Sequence, residues 1–268
     1  MSSSGIPGPV AVVTGASSGL GALFAQRLGE RGFSLVLTGR HPDRLEQVRR
    51  RVIAAAGDCP VTLVTADLAT GGGVVALLRH LGDRPVDLLV NNAGFGTYGP
   101  FGRSDTAREM DVIGVDVAAL VRLTRAVLPG MIELGRGGVL NVASTIAFQP
   151  APYQATYGAA KAFVLSFSQA LWQETRHRGV TVTALCPGPT STGFLDALHN
   201  AEAAQTAIYA KLAEPGPVVD AGLRALDRGI PVAVPGLRNR AFAFLPRITP
   251  RRLITSLSGR YLTPKAAQ

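Results

Sequence analysis

Val10-Ala-Val-Val-Thr14-Gly15-Ala16-Ser17-Ser18-Gly19-Leu20-Gly21 is the stretch whose reading decides the fold. Its first five residues are apolar or β-branched, the pattern of a strand buried on both faces. The following segment, 19–31, places Leu20, Leu23, Phe24 and Leu28 at helical spacing. Between strand and helix the glycines are spaced GxxxGxG. A tight turn here needs residues without Cβ, so that backbone can approach a ligand closely. The helix N-terminus adds N–H donors and positive potential, and together these suit a pyrophosphate. Glycine-rich turns also occur with no ligand. The position of this one, directly between a first strand and a first helix, carries the reading.

The alternation continues outward. Apolar strands are expected at 34–38, 61–65, 86–90, 138–143, 180–185 and 231–235. Helices are expected at 43–56, 74–81, 104–128 (stopped by Pro129) and 157–176. Seven continuous apolar strands alternating with helices predict one doubly wound α/β domain, a parallel sheet covered on both faces. The domain is expected to span residues 1–236, with a C-terminal extension at 237–268.

Composition narrows the class. The chain has 268 residues and a net charge of +9, with 47% hydrophobic and 17% charged residues, which excludes global disorder. The charge is local: +8 lies from Arg224 onward and only +1 before it. No reading motif accompanies that basic segment, so nucleic acid is not expected as a partner. Cys59 and Cys186 are far apart without metal-ligand spacing, and they read as reduced thiols with no metal site. The opening residues have neither a basic nor an apolar signal region, and no apolar run is long enough to span a bilayer. A cytoplasmic protein is the expectation.

The second strand ends Leu37-Thr38-Gly39-Arg40, with no acid where a ribose 2′-hydroxyl would need one. Arg40 suits a 2′-phosphate through charge-assisted hydrogen bonds, which favours NADP over NAD. A solvated loop arginine is the plain alternative. Farther on, Tyr157-Gly-Ala-Ala-Lys161 puts a phenol and an ammonium on one helix face, four residues apart, with Ser144 upstream at a strand end. A nearby ammonium favours phenolate, so Tyr157 is expected to exchange a proton with a substrate oxygen near neutral pH.

With these motifs the sequence resembles the short-chain dehydrogenase/reductase family in its compact single-domain form, over about 10–236. The segment Thr14 to Gly21 matches the family's cofactor turn, including Gly15, Ser17, Ser18, Gly19, Leu20 and Gly21. Asp67-Leu68 matches the adenine contact, and Asn91-Asn92-Ala93-Gly94 the motif after the fourth strand. Pro187-Gly188 with Thr192 matches the nicotinamide carboxamide loop. The resemblance implies a Rossmann-type seven-stranded sheet and hydride transfer between NAD(P)H and a carbonyl or alcohol. Tyr157 would be general acid/base, Lys161 its pKa-lowering partner and a ribose ligand, and Ser144 the substrate-orienting hydroxyl. It also implies a homodimer or homotetramer built on two long helices.

One position departs from the family. Asp116 stands where Asn is usual, in Gly114-Val-Asp-Val-Ala-Ala-Leu-Val-Arg-Leu-Thr124. The family residue holds a proton-relaying water largely through its main-chain carbonyl, a role an aspartate keeps. Its carboxylate near Lys161 would also compete with the pull of the ammonium on Tyr157. The alternative to an active enzyme is a nucleotide-binding scaffold or redox sensor with little turnover.

Loops at the carboxyl ends of strands are the expected substrate region: Phe95 to Tyr98, Ile146 to Phe148 with Tyr153, and an apolar helical lid at 193–213 containing Phe194, Ile208 and Tyr209. An apolar lid points to a hydrophobic ketone or alcohol, or simply covers the sheet. In the extension, Thr249-Pro250 is expected to open a helix with Leu253, Ile254, Leu257 and Tyr261 on one face. That basic amphipathic helix either docks on its own domain or a neighbouring subunit, or lies on an anionic membrane surface.

Overall fold

The computed structural model describes residues 8–198 and 200–263. Residues 1–7 of the opening, His199 of the expected lid and Lys265 of the basic segment lie outside them. Seven parallel strands form one sheet: β1 (Val10–Thr14), β2 (Ser34–Gly39), β3 (Val61–Thr65), β4 (Leu88–Asn91), β5 (Gly137–Val142), β6 (Val180–Leu185) and β7 (Val232–Ala233). Their order is β3-β2-β1-β4-β5-β6-β7. Val12 pairs with Val36 on one side and Leu89 on the other. The order reverses between β1 and β4, and there the carboxyl ends of the strands open a crevice. The edge strand β7 keeps only two of its five expected residues.

Helices cover both faces. On one lie α1 (Gly19–Glu30), α2 (Pro42–Ala56) and α8 (Pro215–Asp227), whose Phe24, Leu28, Leu45 and Leu223 pack on Val13, Leu37 and Leu140. The buried stripe of α1 is Gly21, Phe24, Ala25, Leu28 and Gly29, while Leu20 and Leu23 are only partly buried. Small residues draw this helix close to its neighbours: a Cβ on Gly29 would come 2.8 Å from Val52. On the other face α3 (Gly71–Leu81), α5 (Leu120–Glu133) and α6 (Ala155–Thr175) bring Leu77, Leu123, Met131, Leu171 and Trp172 against Val12, Leu89 and Val182. Each fully buried leucine or phenylalanine contributes about 1.5–3 kcal/mol of burial.

The long helix expected at 104–128 is built differently. Asp105 caps α4 (Thr106–Ile113), accepting from the Ala107 N–H. A π-helical turn then occupies Gly114–Ala119 before α5. Pro129 does not stop α5. Met131 and Ile132 beyond it pack on the sheet, and that contact outweighs the hydrogen bond lost at proline. Helix α3 starts three residues earlier than expected, because the Thr70 hydroxyl accepts from Gly73 N.

The lid and tail also depart from expectation. The described residues of the expected lid form the short helix α7 (Phe194–Ala197) and 3-10 turns at Ala203–Gln205 and Ala207–Tyr209, not a longer helix. The extension folds as α9 (Leu237–Phe244), a 3-10 turn and α10 (Arg251–Leu262). Thr249 is not the cap; its hydroxyl donates to Leu245 O, and α10 begins after Pro250. The buried face of α10 is Ile254, Ser258 and Leu262, which leaves Leu253 and Tyr261 exposed. The tail docks on its own chain: Tyr98 Oη donates to Leu262 O, and Leu262 packs in a cluster with Ile146 and Tyr157; within the tail, Phe242 meets Tyr261 edge-on. Among the described residues, no helix is long and apolar enough to cross a membrane.

Candidate active site

The cofactor turn is held by backbone and small polar groups. Gly15 has φ +63°, and a Cβ on it would lie 2.7 Å from Ala93 Cα. A Cβ on Gly21 would lie 2.2 Å from Gly15 O. Gly19, with φ +55°, packs against Thr192. Thr14 Oγ1 accepts from the N–H groups of Asn92 and Ala93, and Asn92 Nδ2 donates to Thr14 O and Gly15 O. The turn and the β4 loop are therefore one rigid piece. Ser18 precedes α1 with an extended backbone, and its side chain makes no capping hydrogen bond.

A cleft of about 560 Å³ opens over these elements. Ser17, Ser18, Leu20, Arg40, Asp67, Leu68, Gly94, Pro187, Gly188 and Thr192 line its length. Asp67 Oδ1 accepts from Ala69 N, which closes the turn after β3. Arg40 is exposed at the rim, beside His41 and Arg44. Thr192 Oγ1 accepts from Phe194 N, tying the loop after β6 to α7.

Ser144, Tyr157 and Lys161 meet at the floor of the same cleft. Ser144 ends the β5 segment, and its hydroxyl accepts from Ile146 N. Tyr157 and Lys161 project from the first turns of α6, with Lys161 Nζ 5.6 Å from the phenol ring centre. Lys161 Nζ donates to Val142 O at 3.0 Å and pairs with Asp116 Oδ2 at 2.9 Å. Both side chains are almost wholly buried, at 6% and 0% exposure. Asp116 Oδ1 accepts from Phe95 N at 3.1 Å. Gly94 lies so close that a Cβ there would come within 3.0 Å of both charged groups.

This geometry corrects the expected electrostatics. Burial pushes the Tyr157 phenol above its ordinary value, and the Asp116 carboxylate pushes the same way. Only its hydrogen bond with Ser144 lowers it. The pull expected of Lys161 is offset because that ammonium is paired with Asp116. Burial likewise raises Asp116, against the opposing influence of Lys161 and the Phe95 N–H.

A buried ladder supports the floor. Asn91 Nδ2 donates to Thr124 Oγ1 and Asn141 Oδ1, and Asn141 Nδ2 donates to Ser168 Oγ. It joins β4, β5, α5 and α6 under Ser144, Tyr157 and Lys161.

The expected substrate residues separate. Phe95, Ile146 and Phe194 line the cleft, and the Phe194 ring lies 5.3 Å from that of Tyr157. Tyr153 is not among the lining residues: at φ +65° it stacks on Tyr98 with centroids 6.2 Å apart. Tyr209, expected in the lid, lines the cleft, sits beside buried Gln154 at 3.4–3.5 Å, and is raised by burial and by Tyr157. Sequence reasoning missed Leu262, which joins Tyr157, Ile146 and Val112 in one apolar cluster, and Asn239, which packs against Gly188. These contacts span about 50 to 160 residues of sequence, and no local spacing signals them.

The family model for short chain dehydrogenase matches residues 9–203. Hydroxysteroid dehydrogenase-like protein 1 of Gallus gallus is 36% identical over 181 residues, 66% of this chain; the chain spans only 54% of that relative's length. The short-chain dehydrogenase from Sphingobium yanoikuyae, solved in complex with NADPH, is 32% identical with a TM-score of 0.80, covering 89% of this chain and 93% of its own. The bulky-bulky ketone specific alcohol dehydrogenase from Comamonas testosteroni is 28% identical with a TM-score of 0.75, covering 91% and 95%. The matched residues contain the glycine turn, the Asn91 to Gly94 loop and the Ser144, Tyr157 and Lys161 cluster in a single cleft, and the chain belongs to the short-chain dehydrogenase family of oxidoreductases.

Proposed function

We propose that this protein is an NADP(H)-dependent oxidoreductase that interconverts a carbonyl and a hydroxyl on a bulky hydrophobic small molecule. One observation carries the reading: Ser144, Tyr157 and Lys161 line the same cleft as the glycine turn. A dinucleotide fits these residues. The uncapped start of α1 keeps N–H donors for a pyrophosphate, and the Gly15–Ala93 approach leaves no room for a side chain in the cradle. Asp67 and Leu68 would take the adenine end, Asn92 to Gly94 and Lys161 the nicotinamide ribose, and Pro187, Gly188 and Thr192 the carboxamide. Arg40 at the rim favours a 2′-phosphate, hence NADP over NAD. When bound, the nicotinamide supplies or accepts the hydride.

The remaining work belongs to the chain. Ser144 Oγ donates a hydrogen bond to the substrate oxygen. Tyr157 Oη gives that oxygen a proton in reduction and takes one in oxidation. Burial and Asp116 raise the Tyr157 phenol, so the tyrosine holds its proton firmly until the substrate oxygen takes it. Phe95, Ile146, Phe194 and Ile208 offer apolar walls. The bulky-ketone specificity named for the Comamonas relative accords with such walls.

Supporting a homodimer or homotetramer, α6 presents Phe163 exposed and stacked on Phe167. Light scattering tests that assembly. Cys59 and Cys186 are free thiols, in keeping with a reducing cytoplasmic setting.

Loss of reduced-nicotinamide absorbance, followed across bulky and small ketones with NADPH and NADH, tests the function. Turnover of bulky ketones with NADPH is expected. Tight NADPH binding with no turnover across the panel would replace the enzyme with a nucleotide-binding scaffold.

A further inference from the structure

We infer that the outer face of the C-terminal extension, from Leu237 to Tyr261, docks on an anionic lipid surface. The inference is independent of the reaction proposed above.

The inner side of the extension is already occupied, by Ala243, Ile254, Ser258 and Leu262. The outer side combines two properties that water alone does not favour together. Leu237 (82% exposed), Phe244, Leu245, Ile248 (68%), Leu253 and Tyr261 all face solvent. In α9, Leu237, Ala241 and Phe244 are exposed at i, i+4 and i+7, one stripe of the helix. Elsewhere the exposed large apolar residues are more spread out: Ile53, Val75 and Leu134 stand singly, and Met110 with Ile113 forms one pair on α4.

The second property is charge. Arg238, Arg240, Arg247, Arg251, Arg252 and Arg260 are interleaved with these residues, and no Asp or Glu occurs from residue 228 onward. Among the described residues, no ion pair engages Arg238, Arg247, Arg251 or Arg252.

Charge selects the occupant. A second copy of this chain, meeting through the same patch, would bring one all-basic face against another with no carboxylate between them. Nucleic acid would answer the arginines but leave the leucine, phenylalanine and isoleucine side chains without an apolar partner. An anionic bilayer surface answers both, phosphates for the guanidiniums and the acyl boundary for the apolar stripe. The surface is also joined to the cleft. Leu262, on the inner side of α10, shares a cluster with Tyr157 and Ile146, so lipid at the outer side would lie close to the apolar end of the site.

Vesicle flotation of the full chain is the test, with vesicles of phosphatidylcholine alone or mixed with phosphatidylglycerol. The chain is expected to float with the mixed vesicles at low salt, to be released at high salt, and to stay behind with phosphatidylcholine alone. Each lost guanidinium should weaken partitioning about fivefold, so Arg247→Ser with Arg251→Ser and Arg252→Ser should weaken it about a hundredfold. The same triple variant should keep its thermal midpoint and NADPH binding, which separates a surface effect from misfolding. Leu237→Ser with Ile248→Ser should also reduce flotation. No flotation with mixed vesicles, or equal flotation of chain and triple variant, overturns the inference. A lower mass by light scattering for Leu237→Ser with Ile248→Ser would assign the patch to a second copy. Displacement of the chain from mixed vesicles by a short DNA duplex would assign it to nucleic acid.

Discussion

The two ends of the cleft are built by different means. At the end over β1, β2 and β4, position is set by backbone. Gly15 lies against Ala93, Gly21 lies under Gly15 O, and Thr14 and Asn92 lock the two loops together. At the end over β5 and β6, the walls are side chains on short turns, Phe194, Ile208 and Tyr209, and Leu262 of the returning tail packs in the apolar cluster with Tyr157 and Ile146. One polar contact there is long, Gln154 with Tyr209 at 3.4–3.5 Å. A backbone-built end accepts one shape and tolerates little substitution. A side-chain-built end can be reshaped residue by residue while the chemistry between the two stays in place.

Substitutions at the seam and at each end should separate these behaviours. At the seam, Tyr157→Phe removes the proton donor and should lower kcat about 10²–10⁴-fold while NADPH affinity, read by fluorescence titration, stays unchanged. At the backbone-built end, Gly21→Ala pushes a methyl into Gly15 O. It should cost about 1–3 kcal/mol, seen as a lower thermal midpoint, and weaken NADPH binding together with it. Arg40→Ala leaves that cradle intact. It should weaken NADPH about tenfold to a hundredfold and leave NADH alone; equal effects on both would remove the 2′-phosphate role. At the side-chain-built end, Phe194→Ala should raise KM for bulky ketones about tenfold with NADPH affinity constant.

The smallest effect is a displacement along the pH axis. Burial and the Asp116 charge both raise the Tyr157 phenol, so the acid form that drives reduction is lost only as pH climbs through that raised value. Asp116→Asn deletes one of the two causes. The alkaline limb of kcat for reduction should then move to lower pH, and an unmoved limb would show that the carboxylate has no influence on Tyr157.

The same division governs what the sequence discloses. The backbone-built end is written locally. Strand β1, the glycine spacing and the start of α1 are contiguous, and their order with Asn91 to Gly94 and Tyr157 to Lys161 is enough to expect the shared cleft that these motifs line. The first turn of helix α3 is masked in the sequence by Gly71, Gly72 and Gly73, poor helix formers; a Cβ on Gly73 would lie within 3.0 Å of Asp67 backbone atoms. Pro129 suggested a stop that packing of Met131 overrides. The side-chain-built end depends on distant contacts, such as Tyr98 with Leu262 or Gly188 with Asn239, which leave no periodicity to read. Tyr153 has the right residue type in the right loop, yet its ring belongs to Tyr98.

The π-helical turn at Gly114–Ala119 has a consequence for how this site can change over time. Successive residues of an α-helix are rotated about 100° around its axis. The wide turn holds more residues per revolution, so the bearing of Asp116 toward Lys161 depends on the number of residues between α4 and α5 as well as on their kind. Deleting one residue from that turn would aim the carboxylate elsewhere with every functional side chain still present. Chain length at this bend is therefore a variable in its own right, and insertions or deletions there can retune the proton chemistry of the protein without touching Ser144, Tyr157 or Lys161.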